Sequence, residues 1–308
     1  MDIDLIGNIL HLTLRAGTPL LIVALGELIC QKSGVLNLGQ EGMMLMGAVT
    51  GFVIAYETGN SSLGFVAAIM AGVMMSLLFG FVVLHLQANQ VASGLALTIL
   101  GIGLSAFIGM QYVGDSVAGI ATWHFFGLSE IPLLGDVLFS HDMFVYLSVL
   151  AVVALFLFLK HTRGGLLLRA VGESPQSAHA MGIAVIKVRY LAVAFGGGMA
   201  GLAGAYLSLV ITPMWAENMT AGRGWIALAL VVFASWRVER VLLGAYLFGF
   251  MGVMNMTLQG LGVPTSPNLL AIMPYAATIV VLVWLSRDQR KMKLQVPVSL
   301  AKPFHPDH

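Results

Sequence analysis

Charge is what this sequence has least of. Asp, Glu, Lys and Arg make up only 9% of its 308 residues, against roughly 25% in an average soluble domain. A soluble fold of this size has no way to cover its surface with so few charges and stay dispersed. Cysteine is nearly absent as well. Cys30 stands alone, which excludes an internal disulfide and a cluster of thiolate metal ligands. The net charge of +1 carries no basic excess of the kind that points to nucleic acid. Met1-Asp2-Ile3-Asp4 is acidic where a cleaved signal peptide needs a basic stretch, so the chain is expected to insert through its own spans. No G-x-x-x-x-G-K-[ST] occurs to cradle ATP phosphates, and the eight histidines form no H-E-x-x-H. No catalytic set, cofactor or metal is expected.

Apolar sequence is what remains: 58% of residues are hydrophobic and the mean hydropathy is +0.92. A helix needs about 20 apolar residues to cross a hydrocarbon core of roughly 30 Å. Nine runs approach or reach that length: Leu5–Cys30, Asn37–Tyr56, Leu63–Leu86, Val91–Tyr112, Met143–Leu159, Val188–Ile211, Gly224–Trp236, Val241–Leu258 and Leu269–Ser286. They are continuous rather than alternating, which argues against β-barrel strands. The fold class expected is all-α: one polytopic transmembrane domain over residues 1–308, embedded in the cell membrane.

Placing the 160–187 loop inside the cell sorts the charges. Lys32, Lys160, Arg163, Arg169, Lys187, Arg189, Arg237, Arg240, Arg287, Arg290, Lys291, Lys293 and Lys302 then share the inner side, leaving only Arg15 and Arg223. Asp2, Asp4, Glu57, Asp115, Glu130, Asp136, Asp142 and Glu217 fall outside. The positive-inside rule therefore predicts nine spans with the N-terminus outside and the C-terminus in the cytoplasm.

The spans also repeat. The first four start at 5, 37, 63 and 91, and the last four at 188, 224, 241 and 269, so the halves 5–112 and 188–286 are offset by about 180 positions. One central span separates them, which turns the second half upside down. Transporters commonly carry such inverted repeats, with the pathway at their interface and glycine-broken short helices at corresponding positions. Asn37-Leu-Gly-Gln-Glu-Gly42 and Thr220-Ala-Gly-Arg-Gly224 are such a pair. The run after the second is short, reaching only about 20 Å at 1.5 Å per residue.

Polar residues near these breaks are the candidates for a solute pathway: Asn37, Gln40, Glu41, Asn89, Gln90, Ser93, Arg223, Trp225 and Asn255. Each has an ordinary alternative as a helix-to-helix bond or interfacial anchor. Arg15 and Glu27 share that ambiguity. Gly196-Gly-Gly-Met-Ala-Gly201 matches G-x-G-x-x-G in form, but it lies inside an apolar helix. There Gly197/Gly201 and Ala200/Gly204 make small faces for close packing. In the 160–187 loop, Ser174-Pro-Gln-Ser-Ala-His-Ala-Met-Gly182 predicts a short helix with Ser174 at the N-cap, Pro175 at N1 and Gly182 at C′. Two turns are too few to hold alone in water, so this helix must pack on its own loop or on a partner.

Gly26-Glu-Leu-Ile-Cys-Gln-Lys-Ser-Gly-Val-Leu-Asn-Leu-Gly-Gln-Glu-Gly-Met-Met-Leu-Met-Gly-Ala48, Arg169-Ala-Val-Gly-Glu-Ser-Pro-Gln-Ser-Ala…Met-Gly-Ile183 and Gly222-Arg-Gly-Trp-Ile-Ala-Leu-Ala229 resemble, in order, permeases of nucleoside and simple-sugar ABC importers. These are related to ribose and branched-chain amino acid permeases. The pattern departs from that family at Gln31-Lys32, Gln40, Ser174 and 236–240. The resemblance implies ABC ATPase subunits that use ATP and Mg, a second homologous permease and an extracytoplasmic solute-binding protein. It also implies that Arg169, Glu173, Ser174, Pro175, Gln176, Ser177, His179 and Met181 couple to the ATPase. An ion-driven carrier would need buried carboxylates, for which only Glu27 and Glu41 qualify. A membrane enzyme would need a convergent nucleophile or metal set, and none is present.

Overall fold

The computed structural model describes residues 3–120, 122–123, 134–261 and 296–305, with isolated helical positions at 272, 276 and 280. Its helices are α1 (Ile3–Lys32), α2 (Gln40–Thr58), α3 (Ser61–Gly80), α4 (Gln90–Gly109), α5 (Leu134–Phe139), α6 (Met143–His161), α7 (Arg163–Glu173), α8 (Pro175–Ala180), α9 (Val185–Tyr206), α10 (Arg223–Phe233) and α11 (Val238–Gly260). Wider π-type turns extend α3 through His85 and α9 through Ile211. The described residues contain no sheet, only two isolated bridges joining the loop after α4 to the loop after α9.

Among the described residues, six helical stretches are long and apolar enough to cross a membrane: Leu5–Lys32, Ser61–His85, Gln90–Tyr112, Met143–His161, Val185–Ile211 and Val238–Gly260. They coincide with the first, third, fourth, fifth, sixth and eighth expected spans. The second is α2, an unbroken helix of 19 residues whose amphipathic opening at Gln40-Glu41 dilutes its apolar character. The seventh is α10, of only 11 residues. The ninth, Leu269–Ser286, lies outside the described residues except at three helical positions.

Local chemistry sets the helix starts. Asn60 accepts from the Ser62 and Leu63 N–H groups to open α3. Asn89 accepts from Ala92 to open α4, and Asp142 accepts from Phe144 and Val145 to open α6. Each satisfies donors that a helix cannot satisfy internally. Pro19 lies inside α1; inside a bundle, neighbouring helices tolerate such a break.

Burial sorts the helices into an inner and an outer set. In α1 and α9, 67% of the most apolar stretch is buried, against 22–39% in the other four spans. The outer helices instead display large apolar side chains, including Met74, Ile99, Phe107, Leu243 and Met256. A surface of that kind is stable against hydrocarbon and not against water. Helix α9 approaches its neighbours α2 and α3 backbone to backbone. Gly197 lies against Gly72 and Ser76 of α3, Gly201 against Ala68, and Gly204 against Met44 and Ala48 of α2. This is the packing role expected of the small-residue faces in the G-x-G-x-x-G stretch.

Candidate functional site

The starts of α2 and α10 meet, and a carboxylate closes the junction. Glu41 is buried and accepts from the Thr220 hydroxyl at 2.5 Å, the Gly222 N–H at 2.8 Å and the Gly224 N–H at 2.6 Å. The two N–H groups belong to the N-terminus of α10, where a helix carries partial positive charge. Gly222 has φ +81°, a left-handed conformation, and a Cβ at Gly224 would fall 2.5 Å from the Glu41 nitrogen. Both glycines of the broken segment are therefore needed for the carboxylate to approach.

A second buried network lies one step away. Glu27 of α1 accepts from Gln40 Nε2 at 2.6 Å, Gln31 Nε2 at 2.8 Å and the Asn37 N–H at 3.3 Å. Gln31 Oε1 in turn accepts from Trp236 Nε1 at 2.7 Å. The chain Gln40–Glu27–Gln31–Trp236 thus ties α1, α2 and the α10–α11 turn together through buried groups. Buried carboxylates persist only where several donors satisfy them. Gln31 and Gln40 are two of the positions where the sequence departs from the family pattern, and both amides are spent on the same carboxylate.

The other expected pathway residues are placed as follows. Asn37 is buried, its Oδ1 accepting from Gly39. Gln90 is buried and accepts from the Leu36 N–H at 2.8 Å. Asn89 is exposed and caps α4, and Ser93 is half-buried one turn on. Arg223 donates to the Met219 and Thr220 carbonyls. Trp225 is exposed, and Asn255 accepts from Gln259 within α11. The structure brings Asn37, Gln40, Glu41 and Arg223 to one junction.

Sequence reasoning missed two further clusters. Asp142 caps α6, accepts from the Tyr206 hydroxyl of α9 at 2.8 Å and lies 3.8 Å from the Arg15 guanidinium of α1. Next to it, the His141 ring stacks on His11 at 4.3 Å and bonds the Val137 carbonyl at 2.8 Å. Burial pushes the His141 pKa below its ordinary value, with the Val137 bond acting against it. At the other end, Arg189 of α9 is buried among carbonyls of neighbouring segments. Periodicity does not reveal such pairs, because the partners lie far apart in the chain.

The segment expected to couple forms two helices, not one. The notional loop contains α7, an amphipathic helix capped by Thr162, followed by α8. Ser174 caps α8 by accepting from the Ser177 N–H, Pro175 takes its first turn, and Gly182 follows its C-cap with φ +81°. The helix packs on its own chain: Pro175 and Ala178 are buried, the latter in a cluster with Val171, Val185 and Phe304. Arg169, Glu173, Gln176, Ser177, His179 and Met181 are exposed, and Ser174 is half-buried.

A bundle with a lipid-compatible exterior and polar side chains spent on joining helices is that of a multi-pass membrane protein. The family model for the branched-chain amino acid transport system permease component matches residues 9–282, and the chain belongs to that family. It is 42% identical, over 97% of both chains, to TsgC13 of Haloferax volcanii, an ABC transporter permease protein named for glucose. It is 34% identical to the guanosine ABC transporter permease protein NupQ of Bacillus subtilis, over 92% of this chain and 93% of that one. The nucleoside ABC transporter permease protein NupC of Lactococcus lactis is 29% identical over 86% and 88%. No solved structure matches the chain. Membership in a family of ABC permeases sets aside the ion-driven and enzymatic alternatives.

Proposed function

We propose that this chain is the membrane half of an importer for a nucleoside or related small polar solute. Separate ATPase subunits drive it, a second homologous permease completes the pathway, and an extracytoplasmic binding protein loads it. The N-terminus faces outward and the C-terminus lies in the cytoplasm. The observation that carries the coupling reading is the two-sidedness of α8: its apolar side is filled by its own chain, while its polar side stays bare beside Arg169 and Glu173. Its own chain supplies the packing that a helix this short needs, which leaves the exposed polar side for an ATPase.

Two observations support the inverted repeat. Residues assigned to the inner side touch one another: Ser33 and Gly34, Gln87, Gly172, Arg189 and 299–304 share hydrogen bonds. So do outer ones, with Tyr112 donating to Glu57 and Trp123 to the His141 carbonyl. Because α11 leaves the inner end near Trp236 and Val296 is back there, the return supports a ninth crossing. Close contacts also recur with the repeat. Gly17 meets Gly249 between α1 and α11, and Gly197 meets Gly72 between α9 and α3. Gly197 lies 180 positions after Gly17, and Gly249 lies 177 after Gly72.

On this reading the solute passes where α2 and α10 begin. Asn37, Gln40, Glu41, Asn89, Gln90, Ser93, Arg223, Trp225 and Asn255 line its course, and the Glu41 and Glu27 networks hold that course shut. Binding of ATP by the partners favours a second arrangement in which those bonds part. Relatives named for guanosine and nucleosides support a nucleoside cargo, and TsgC13, named for glucose, supports a sugar as the second reading. Competition of labelled guanosine uptake by unlabelled guanosine and glucose in cells expressing the full importer separates the two. For coupling, replacing Glu173 and Ser174 together with Leu should leave the protein in the membrane while uptake no longer follows ATP hydrolysis. Unchanged uptake per ATP would remove the coupling assignment.

A further inference from the structure

The segment Val296–His305 lies beyond residue 282, where the family match ends, yet it is built into the base of the bundle. Ser299 donates its N–H to the Gly172 carbonyl at 3.0 Å and its hydroxyl to the same oxygen at 2.7 Å, closing on the end of α7. Ala301 donates to the Gly34 carbonyl at 3.1 Å, just past the end of α1. Arg189, at the start of α9, crosses the segment, donating to the Ser33 carbonyl at 3.2 Å, Ser299 Oγ at 3.3 Å and the Lys302 carbonyl at 3.5 Å. Phe304 then inserts under α8. It is buried against Val171, Ala178 and Val185, its ring meets His179 edge-on at 5.7 Å, and the Arg189 guanidinium lies 5.9 Å from its centroid.

Alongside α7, which also touches all three, these contacts connect the underside of α8, the end of α1 and the start of α9. The last two are the most buried spans of the bundle. Arg189 is kept buried by three neutral oxygens, the Ser33 carbonyl, Ser299 Oγ and the Lys302 carbonyl, all of them at this junction. A short helix pushed from outside transmits force through what it rests on, and α8 rests on Phe304 together with Val171 of α7 and Val185 of α9.

We infer that Val296–His305 is a strap that passes movement of α8 to α1 and α9, with Phe304 as its positioning residue. The inference rests on the coupling reading of α8. Its test uses the complete importer, both permeases with ATPases and binding protein, in proteoliposomes, and reads solute taken up per ATP hydrolysed. Phe304→Ala should lower that ratio about fivefold, the size of effect a residue on a coupling path produces, while the ATPase stays bound. Phe304→Leu, which refills the space, should restore most of it. An unchanged ratio in Phe304→Ala, with the Glu173/Ser174 double variant uncoupled, overturns the strap and leaves the coupling reading standing. If the double variant stays coupled, that reading fails and the strap with it. Loss of the permease from the membrane in both Phe304 variants assigns the segment to folding and overturns the strap too.

Discussion

Glu41 carries three hydrogen bonds from the opposite half of the molecule on one carboxylate. Glu41→Ala strands the Thr220 hydroxyl and two helix N–H groups in a buried site, at about 1–3 kcal/mol for each unsatisfied group. Glu41→Gln keeps the shape but turns an NH₂ toward donors, so it recovers little. Thermal unfolding in detergent should show both variants well below the parent, with Ala lower; a melting temperature equal to the parent for Gln would mean that the charge is not used. His141 supplies a pH dependence. Its folded-state pKa lies below the unfolded value because burial beside His11 and Arg15 disfavours the imidazolium. The unfolded chain therefore binds the proton more readily. This contribution to stability is complete above about pH 6.5 and is lost as the pH falls below it. Melting temperature should drop as the pH falls from 7 to 5, and His141→Gln should flatten part of that slope. At this scale Glu41 and Arg223 were legible, since charge inside apolar sequence is rare enough to stand out. The partners of Glu27 and Arg189 were not, because amides and carbonyls from distant segments satisfy them.

Elements were read best where length and apolarity act alone. The six crossing helices fall where the apolar runs do, and the α8 cap, Pro and Gly follow from local backbone chemistry. α7 was missed because glycines at 164 and 165 and charges at 163 and 169 read as loop, whereas its apolar face packs on α6 and α9. The small-residue faces give an element-scale prediction. A methyl at Gly197 would collide with Ser76 and the Gly72 carbonyl, while one at Gly103 of α4 meets nothing within 4 Å. Gly197→Ala should force α9 from α3 and sharply reduce folded protein recovered from membranes. Gly103→Ala should be neutral or stabilising by up to about 1 kcal/mol through helix propensity. Equal recovery of the two variants in fluorescence-detected size exclusion would show that the α3–α9 contact is not limiting. Asp142 tests the opposite end. Asp142→Ala removes the α6 cap, the Tyr206 bond and the Arg15 pair together. It should cost more than the roughly 1 kcal/mol of a cap alone, and Tyr206→Phe in the same background should add nothing further if the contacts act as one unit.

For the whole molecule the decisive matter is which loops share a side, because the inverted halves, the coupling face and the strap all require one alternation. Basic residues predict which loops share the cytoplasmic side, and the hydrogen bonds between loops bring the same groups of residues together. Cys30 is the sole cysteine and is fully buried, so single introduced cysteines report without removing it. Asn60, in the exposed turn between α2 and α3, and Met181, exposed at 70% beyond α8, fall on opposite sides of the alternation. A membrane-impermeant maleimide added to intact cells should label Asn60→Cys and spare Met181→Cys, with the latter labelled only after permeabilisation. Asn60 caps α3, so Gly59→Cys, whose φ of +65° tolerates no side chain comfortably, is a poorer probe than Ser62→Cys as its check. Labelling of both positions from the same face would break the alternation, and with it the second half's inversion and the placement of α8 against a cytoplasmic ATPase. Labelling of Met181→Cys alone in intact cells would keep the alternation but turn the molecule over, putting the exposed polar face of α8 where no ATP-driven partner can reach it.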